Sequence, residues 1–445
     1  MPTASPETSD MVLALPVKGE SFLLCRAGRA VLVDGGFPSD GIADVLKQQT
    51  PDVQRLDIVL CTHGDRDHAG GLPNLLDDWA GRIGQLWLPG RWVDVIPQLV
   101  HDPAEFLDEL VHELDANLKA PSDEVLGAIR DADDKASQRD RRDPPFPPQS
   151  RVAGSADGRF DDADEALDPE ALPPEPEWFS TLRCAAVELA SDDYSSRAFN
   201  AARRKVRRRY NRLASKPNAR IALYWLDLIE TAKAIRGIAV AAIRYGIPTR
   251  WFDFEEFART RRAFGGAPGF LVPINAVEQA PPPSTLFLYM RLTLINQQSL
   301  VFLAPPALFG LGVLFSGDSP LGDGTDFNRS FLPARPLPNW PIVATAPHHG
   351  SETNSIAYAH LNAWADVVVL LRAGGSAKQP GETFLKQNTC LRLCARCPKA
   401  GLAPTLSGVV AIPIRPDWWV MHTLGRRCRC RTAHVGVSVS SVCAS

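Results

Sequence analysis

Apolar and polar positions alternate in blocks along the first hundred residues. Residues 11–36, MVLALPVKGESFLLCRAGRAVLVDGG, interleave short apolar runs with Gly and charged turns, which predicts two or three strands ending at Asp34-Gly35-Gly36. A short helix is expected over 40–50. LDIVLC at 56–61 reads as a buried strand that runs straight into the polar loop THGDRDHAGG; a helix then opens near Leu72, and Gln85 to Leu88 is a further short strand. Strands and helices taking turns in this way predict a layered α/β architecture.

The pattern changes after residue 100. Positions 101–135 are helix-like and acidic, whereas 140–178, with RRDPPFPPQS and DDADEALDPEALPPEPE, have the Pro-rich acidic composition of a disordered segment. Positions 195–247 are helical again and carry Arg203, Arg204, Lys205, Arg207, Arg208 and Arg209. TRWFDF after Gly246 resembles a strand. The stretch 101–245 is therefore read as an insertion into one large fold. Strand signals return over 287–318, at PIVATAP (341–347), which runs into HHGSETNS, and at ADVVVLL (365–371). The expected organisation is one domain over 1–372 carrying the insertion, followed by a C-terminal extension over 373–445. No repeat of fixed period is present.

Composition narrows the class. With 45% hydrophobic and 22% charged residues, the 445-residue chain can bury a large core. Lys plus Arg is 48 and Asp plus Glu is 51, a net charge of −3, which excludes a globally basic nucleic-acid binder but not a local basic patch. The opening MPTASPETSD has neither a basic n-region nor an apolar h-region. Residues 292–316 carry no charge, but Pro305, Pro306, Gly310 and Gly312 interrupt them, so two buried strands around a turn are expected there rather than a membrane helix. A soluble cytoplasmic chain without a membrane partner is the expectation. Nine cysteines are too few for a disulfide scaffold, and six of them, Cys390, Cys394, Cys397, Cys428, Cys430 and Cys443, lie after residue 389.

The chemistry concentrates after strands. His63, Asp65, Asp67 and His68 place four metal-ligating side chains in six positions. Charges packed so closely repel unless a cation or protons intervene. Asp318 in LFSGDSP also follows a strand; alone it would read as a turn residue. His348 and His349 follow the strand at 341–347. Together these groups suffice for two metal ions sharing one bridging carboxylate.

THGDRDHAGG resembles the HxHxDH motif of the metallo-β-lactamase-fold hydrolases, with Asp65 where the second His often stands. Followed by NQQSLVF (296–302), LFSGD (314–318) and APHHGS (346–351), it is similar to the hydrolase domain of the ComEC-type DNA-uptake competence proteins and their free-standing relatives. The resemblance covers about 11–100 and 287–372 and leaves the insertion and the tail outside. It implies an αββα sandwich with the site along one edge. His63 and Asp65 would bind one metal, Asp67 and His68 the other, and Asp318 would bridge them. His348 or His349 would complete the second site; His348 is preferred as the ligand, leaving His349 to face the substrate and donate to a phosphate oxygen. Many members supply another His between the first motif and the bridging Asp. This chain has only His101 and His112 there, in the acidic helix-like stretch, and both are read as surface residues, so the first metal would be weakly held. Oxygen ligands favour manganese or magnesium and imidazole favours zinc; two ions of zinc or manganese are expected.

The expected function is a metal-dependent hydrolase using a metal-activated hydroxide, with Asp67 as ligand and proton acceptor. Phosphodiesters are the leading substrate class, nucleic acid among them. The alternatives are a small-molecule ester, lactone or thioester hydrolase, and a metal-stabilised module that docks a protein partner through the insertion or the tail. Neither a Gly-x-Ser-x-Gly elbow nor a phosphate loop is present. Cys394, Cys397, Cys428 and Cys430 form a CxxC and CxC pair that reads as a structural zinc site, or else as free buried cysteines. GVVAIPI (408–414) and WWVMH (418–422) would form the hairpin that brings the two pairs together. The run at 203–209 reads as a solvated helix face or as a track for phosphates. No aromatic residue is interleaved with it, so base stacking is not suggested.

Overall fold

The computed structural model describes residues 10–121, 125–126, 189–212, 216–280, 288–292, 298–306, 310–324, 326–333, 341–375, 379–396 and 408–415. The first apolar runs form an antiparallel meander of β1 (Met11–Ala14), β2 (Phe22–Arg26) and β3 (Arg29–Val33). Two βαβ steps follow. Helix α1 (Ile42–Gln49) leads to β4 (Leu56–Leu60), parallel to β3, and α2 (Leu72–Asp78) leads to β5 (Ile83–Pro89), parallel to β4.

The next crossover is very long. It contains α3 (Ile96–His101), α4 (Pro103–Lys119), α5 (Asp192–Arg212) and α6 (Lys216–Arg244) before β6 (Thr249–Asp253) returns beside β5, again parallel. The expected insertion thus joins two neighbouring strands, and its helices are no appendage. Phe106, Leu110 and Leu114 on one stripe of α4, with Trp225, Ile229 and Ile235 of α6, belong to the main hydrophobic cluster. Asp102 caps α4 by accepting from the Ala104 and Glu105 N–H groups. Three of the six cations of the basic run are paired here. Arg203 pairs with Glu230 of α6, Lys205 with Asp108 of α4, and Arg209 holds Asp115 of α4 through two bonds of 2.8 Å. Segment 140–178 lies outside the described residues.

After β6 come α7 (Phe254–Thr260), β7 (Val272–Pro273), β8 (Val277–Glu278) and α8 (Leu288–Leu292). The second sheet is then built from β9 (Phe302–Ala304), β10 (Gly312–Phe315), β11 (Pro341–Thr345) and β12 (Asp366–Arg372), with α9 (Ile356–Trp364) in the last crossover. Helix α10 (Glu382–Leu385), β13 (Leu391–Cys394) and β14 (Val410–Pro413) complete the described chain. The sheet orders are β14-β1-β2-β3-β4-β5-β6-β8 and β13-β12-β11-β10-β9-β7. This is a mixed α/β fold of two sheets with helices, consistent with a metallo-β-lactamase sandwich.

Period-two alternation sorts the core. Phe302 and Ala304 of β9, and Val313 and Phe315 of β10, face the first sheet, where Phe302 meets Trp87 and Phe252 at ring distances of 5.5 and 5.0 Å. Leu303 and Leu314 point the other way, into a cluster closed by Tyr358, Leu361 and Trp364 of α9. Both faces of the second sheet are buried, which is why its strands read as unbroken apolar runs. The uncharged stretch around 302–315 is indeed a pair of antiparallel buried strands. Among the described residues, no helix is long and apolar enough to cross a membrane.

The tail corrects the expected boundary at 372. β13 pairs with β12 in one sheet, and β14 pairs with β1 in the other. The sandwich therefore runs on to Pro413. GVVAIPI is a strand, but its described partner is the first strand of the chain; WWVMH lies outside the described residues. So do Cys397, Cys428 and Cys430. Cys394 ends β13, half-buried against the second cluster.

Candidate metal centre

Four strands deliver the site from their carboxyl ends, where α/β sheets place their ligands. β3 ends on Asp34, β4 on Thr62–His68, β10 on Gly317-Asp318 and β11 on the His348-His349 turn. Asp34 is fully buried. It accepts from the Thr62 N–H and hydroxyl at 2.8 and 2.7 Å, and it meets Nδ1 of His68 at 2.8 Å. That contact turns Nε2 of His68 toward the site, the usual work of an outer carboxylate behind a ligating histidine. On the other ring, Nδ1 of His63 faces the hydroxyls of Thr62 (3.0 Å) and Ser299 (3.3 Å).

Asp318 is positioned from both sides. Its N–H donates to the Ser299 hydroxyl, and Asn354 donates to the carbonyls of Asp318 and Ser319 at 3.0 and 2.9 Å. Asn275 fixes the segment before β9 in turn, donating to Ser299 O and accepting from the Val301 N–H. Gly317 takes φ 47°, and a Cβ there would lie 2.4 Å from the Ser299 hydroxyl, so only glycine fits before Asp318. His348 and His349 both adopt left-handed backbone, at φ 50° and 54°. Such residues cost roughly 1–3 kcal/mol each and persist where surroundings enforce them. Here Arg372 Nε donates to His349 O at 2.7 Å, Gln379 donates to His348 O, and the His348 N–H donates to Gly317 O.

The side chains converge. Nε2 of His63 stands 3.6 Å from Asp65 Oδ2 and 3.7 Å from Asp318 Oδ2, and Nε2 of His348 is 3.4 Å from the same Asp318 oxygen. Nε2 of His68 lies 3.1 Å from Asp318 Oδ1. His349 reaches Glu20 Oε2 through Nδ1 at 3.1 Å and Asp67 Oδ2 through Nε2 at 3.0 Å. Two sets of atoms fall within 4.8 Å of one another: Glu20, His68, Asp318 and His349, and His63, Asp65 and Asp318. Asp318 belongs to both.

A divalent cation fits this donor set. His63 Nε2, His68 Nε2, Asp318 Oδ1 and His349 Nδ1 are buried without a hydrogen-bond partner. Each such atom costs about 1–3 kcal/mol, and four of them meet at one place on imidazole and carboxylate groups. The charges are mutually dependent. Burial alone would raise the Asp318 carboxyl, but His348, His68 and His63 hold it well below the ordinary range. Burial opposes the charge on His68, which Asp318 and Asp34 raise well above its ordinary value. Burial likewise opposes charge on His349, and Glu20 and Asp67 carry that ring up to about 10. Burial raises Glu20 despite His349.

The expected loop ligands, Asp318 and both histidines of HHGS are thus brought together, while His101 and His112 are exposed on α3 and α4. The division between the two histidines is not the expected one. His348 Nε2 stands by Asp318 Oδ2, the same oxygen that faces His63. His349 is 1% exposed between Glu20 and Asp67, so it does not face a substrate opening. Sequence reasoning missed Glu20 altogether; its one signal is an acidic residue in the Lys-Gly-Glu-Ser turn between two apolar runs. It also missed α6 as a wall of the site. A Cβ on Gly64 would strike Thr231 of α6 at 2.8 Å. One turn earlier, partial desolvation and the charges of Asp65, Glu230 and Asp67 push Asp227 up to about 6, although its side chain reaches the surface.

Residues 15–84 match the family model of the metallo-beta-lactamase superfamily. The matched segment contains Glu20, Asp34 and the whole 63–68 loop. No curated protein matches the chain.

Proposed function

We propose that this protein is a metal-dependent hydrolase acting on phosphodiesters. The observation that carries the reading is the meeting of four buried, unpartnered donor atoms, on His63, His68, Asp318 and His349, at strand ends next to a metallo-beta-lactamase superfamily segment. His63, Asp65 and His348 would hold one cation against Asp318 Oδ2; His68 and His349 would hold a second against Oδ1. Imidazole and carboxylate donors in this mixture suit zinc or manganese. When bound, such a pair lowers the pKa of water toward about 7 and stabilises charge on the reacting oxygens.

The chain's own residues supply the rest. Asp34, Thr62 and Ser299 fix the imidazoles, so the donor atoms are set before any ion arrives. The Asp67 side chain is 30% exposed and would take a proton from the open side. Arg66 beside it is exposed and charged, which suits an anionic diester better than a neutral lactone. The test is metal content of the purified chain together with cleavage of bis-p-nitrophenyl phosphate, DNA, RNA and a lactone, before and after chelation. Metal-dependent diester cleavage is expected. Undiminished cleavage after complete metal removal would sink the hydrolase reading, and lactone cleavage alone would move the substrate class.

A further inference from the structure

We propose that the outer face of α5 is a docking surface for the phosphates of a nucleic-acid strand, carried by Arg204, Arg207 and Arg208. The inference deepens the diester reading above and rests on it: the substrate becomes a polymer, held by the inserted helices while the metal centre cleaves it.

The structure divides the basic run. Arg203 turns to Glu230 of α6, and Lys205 and Arg209 turn to Asp108 and Asp115 of α4. Those pairs, with Ala198, Phe199, Ala202 and Val206 buried, fix how α5 is rotated. The other three cations stand at i, i+3 and i+4, on the side of the helix opposite that buried stripe. All three are exposed, and among the described residues no carboxylate pairs with them.

A solvated helix face ordinarily mixes both signs, because like charges at these spacings destabilise the helix. Here no acidic residue occurs between Asp193 and Asp227, in a chain whose acids outnumber its Lys and Arg. An unbalanced cationic row in an acidic protein is the electrostatic footprint of a polyanion site. Arg204 and Arg208 are about 6 Å apart along the helix axis, and their long side chains can reach adjacent phosphates of one strand. The same face carries the exposed polar residues Asn200 and Asn211. A membrane surface would ask for apolar side chains among the cations instead.

The face begins beside the metal loop. Glu230, the partner of Arg203, precedes Thr231, which stands against Gly64. Arg204 is the next residue on α5, and Arg207 lies one turn further. Arg66 is a further exposed cation on the metal loop itself. Contacts of this kind hold and orient a strand without reading its sequence.

The experiment measures anisotropy of a labelled phosphorothioate DNA strand with the full-length, metal-loaded protein over a series of NaCl concentrations. Each phosphate contact on a single strand contributes about 0.7 to the slope of log affinity against log salt, so Arg204→Gln/Arg207→Gln/Arg208→Gln should lower the slope by about 2. Its KM for DNA should rise with kcat kept, and its cleavage of bis-p-nitrophenyl phosphate should not change. The control Lys47→Gln/Arg55→Gln/Arg82→Gln removes the same charge from exposed positions leading into β4 and β5, and it should keep the wild-type slope. Circular dichroism checks that both variants are folded. An unchanged slope in the α5 variant, or an equal fall in the control, would overturn the docking face; an unchanged slope is also the outcome if the acid-rich stretch 161–177 of this chain is the occupant. Arginine-dependent DNA binding by a protein that cleaves no diester overturns the proposed function and leaves the face standing. Diester cleavage without DNA binding overturns this inference alone.

Discussion

The strand-end rim and the inserted helices obey opposite rules. In the helices, local chemistry agrees with structure: Asp102 caps α4, Arg209 meets Asp115, and Trp225 Nε1 donates to Leu110 O at 2.7 Å. At the rim, buried nitrogens and oxygens lack partners, and two successive histidines hold left-handed backbone. Unpartnered atoms occur elsewhere too, as on Arg236 Nε, but only at the rim do they gather on several metal-ligating side chains at one point, among the described residues. The comparison also shows what each region contributes. The helices pack as core and wall; the rim stores strain and unpaired donors that a cation would relieve.

The hardest blow to that contrast is Asp318→Ala. Both candidate sites share Asp318, so both metals and all detectable diester cleavage should disappear together. Metal analysis alongside turnover reads this out, and retention of either ion would show that the carboxylate is not shared. Asp34→Asn should act more gently. It leaves the ligands in place but removes the carboxylate behind His68, for which a metal-affinity loss of about 10–100-fold is expected. An unchanged zinc affinity would mean that Thr62 and the loop alone set the ring.

Acid should sharpen the difference between the regions. In the metal-free protein, burial opposes charge on both rings, but Asp318 and Asp34 raise His68 well above its ordinary value and Glu20 and Asp67 raise His349 to about 10, so both hold their protons more tightly than free histidine. A cation must displace those protons. Affinity should therefore rise with pH through neutrality, and fall about tenfold per unit of acidification for each proton released. Calorimetric zinc titrations between pH 6 and 8 check the sign, and a flat profile would show that the rings enter unprotonated. The paired charges of the helices have no such coupling to metal.

What could be read beforehand follows the same division. The loop ligands His63, Asp65, Asp67 and His68 were legible because they crowd into one turn after an apolar strand. Asp318 and His348-His349 were legible only as companions of that loop. Which histidine serves which side depends on backbone held by Arg372 and Gln379, and no local pattern encodes that. Glu20 stood alone between two strands; its role arises only when the 18–20 turn packs on Asp67. The meander and the first βαβ steps were read from periodicity. The pairing of β14 with β1 was not foreseen, because strand partners separated by hundreds of residues leave no local trace. The helices of 101–245 were recognised, but not their place in the main core.

The smallest effects on the metal centre should come from the helices, and they separate packing from charge. Trp225→Ala removes a fully buried ring and leaves the Leu110 carbonyl without its donor, so a loss of about 3–5 kcal/mol is expected in denaturant unfolding. Arg209→Ala removes a bidentate pair on the surface. Its Arg and Asp side chains are 45% and 32% exposed, and solvent screens them, so the loss should be within about 1 kcal/mol. Neither change touches a donor atom of the centre. Zinc stoichiometry in the folded Arg209→Ala variant should equal that of the wild type. Loss of metal there would mean that the α4–α5 contact reaches the site through Arg203, Glu230 and the α6 wall, and the two regions would then have to be treated as one cooperative unit.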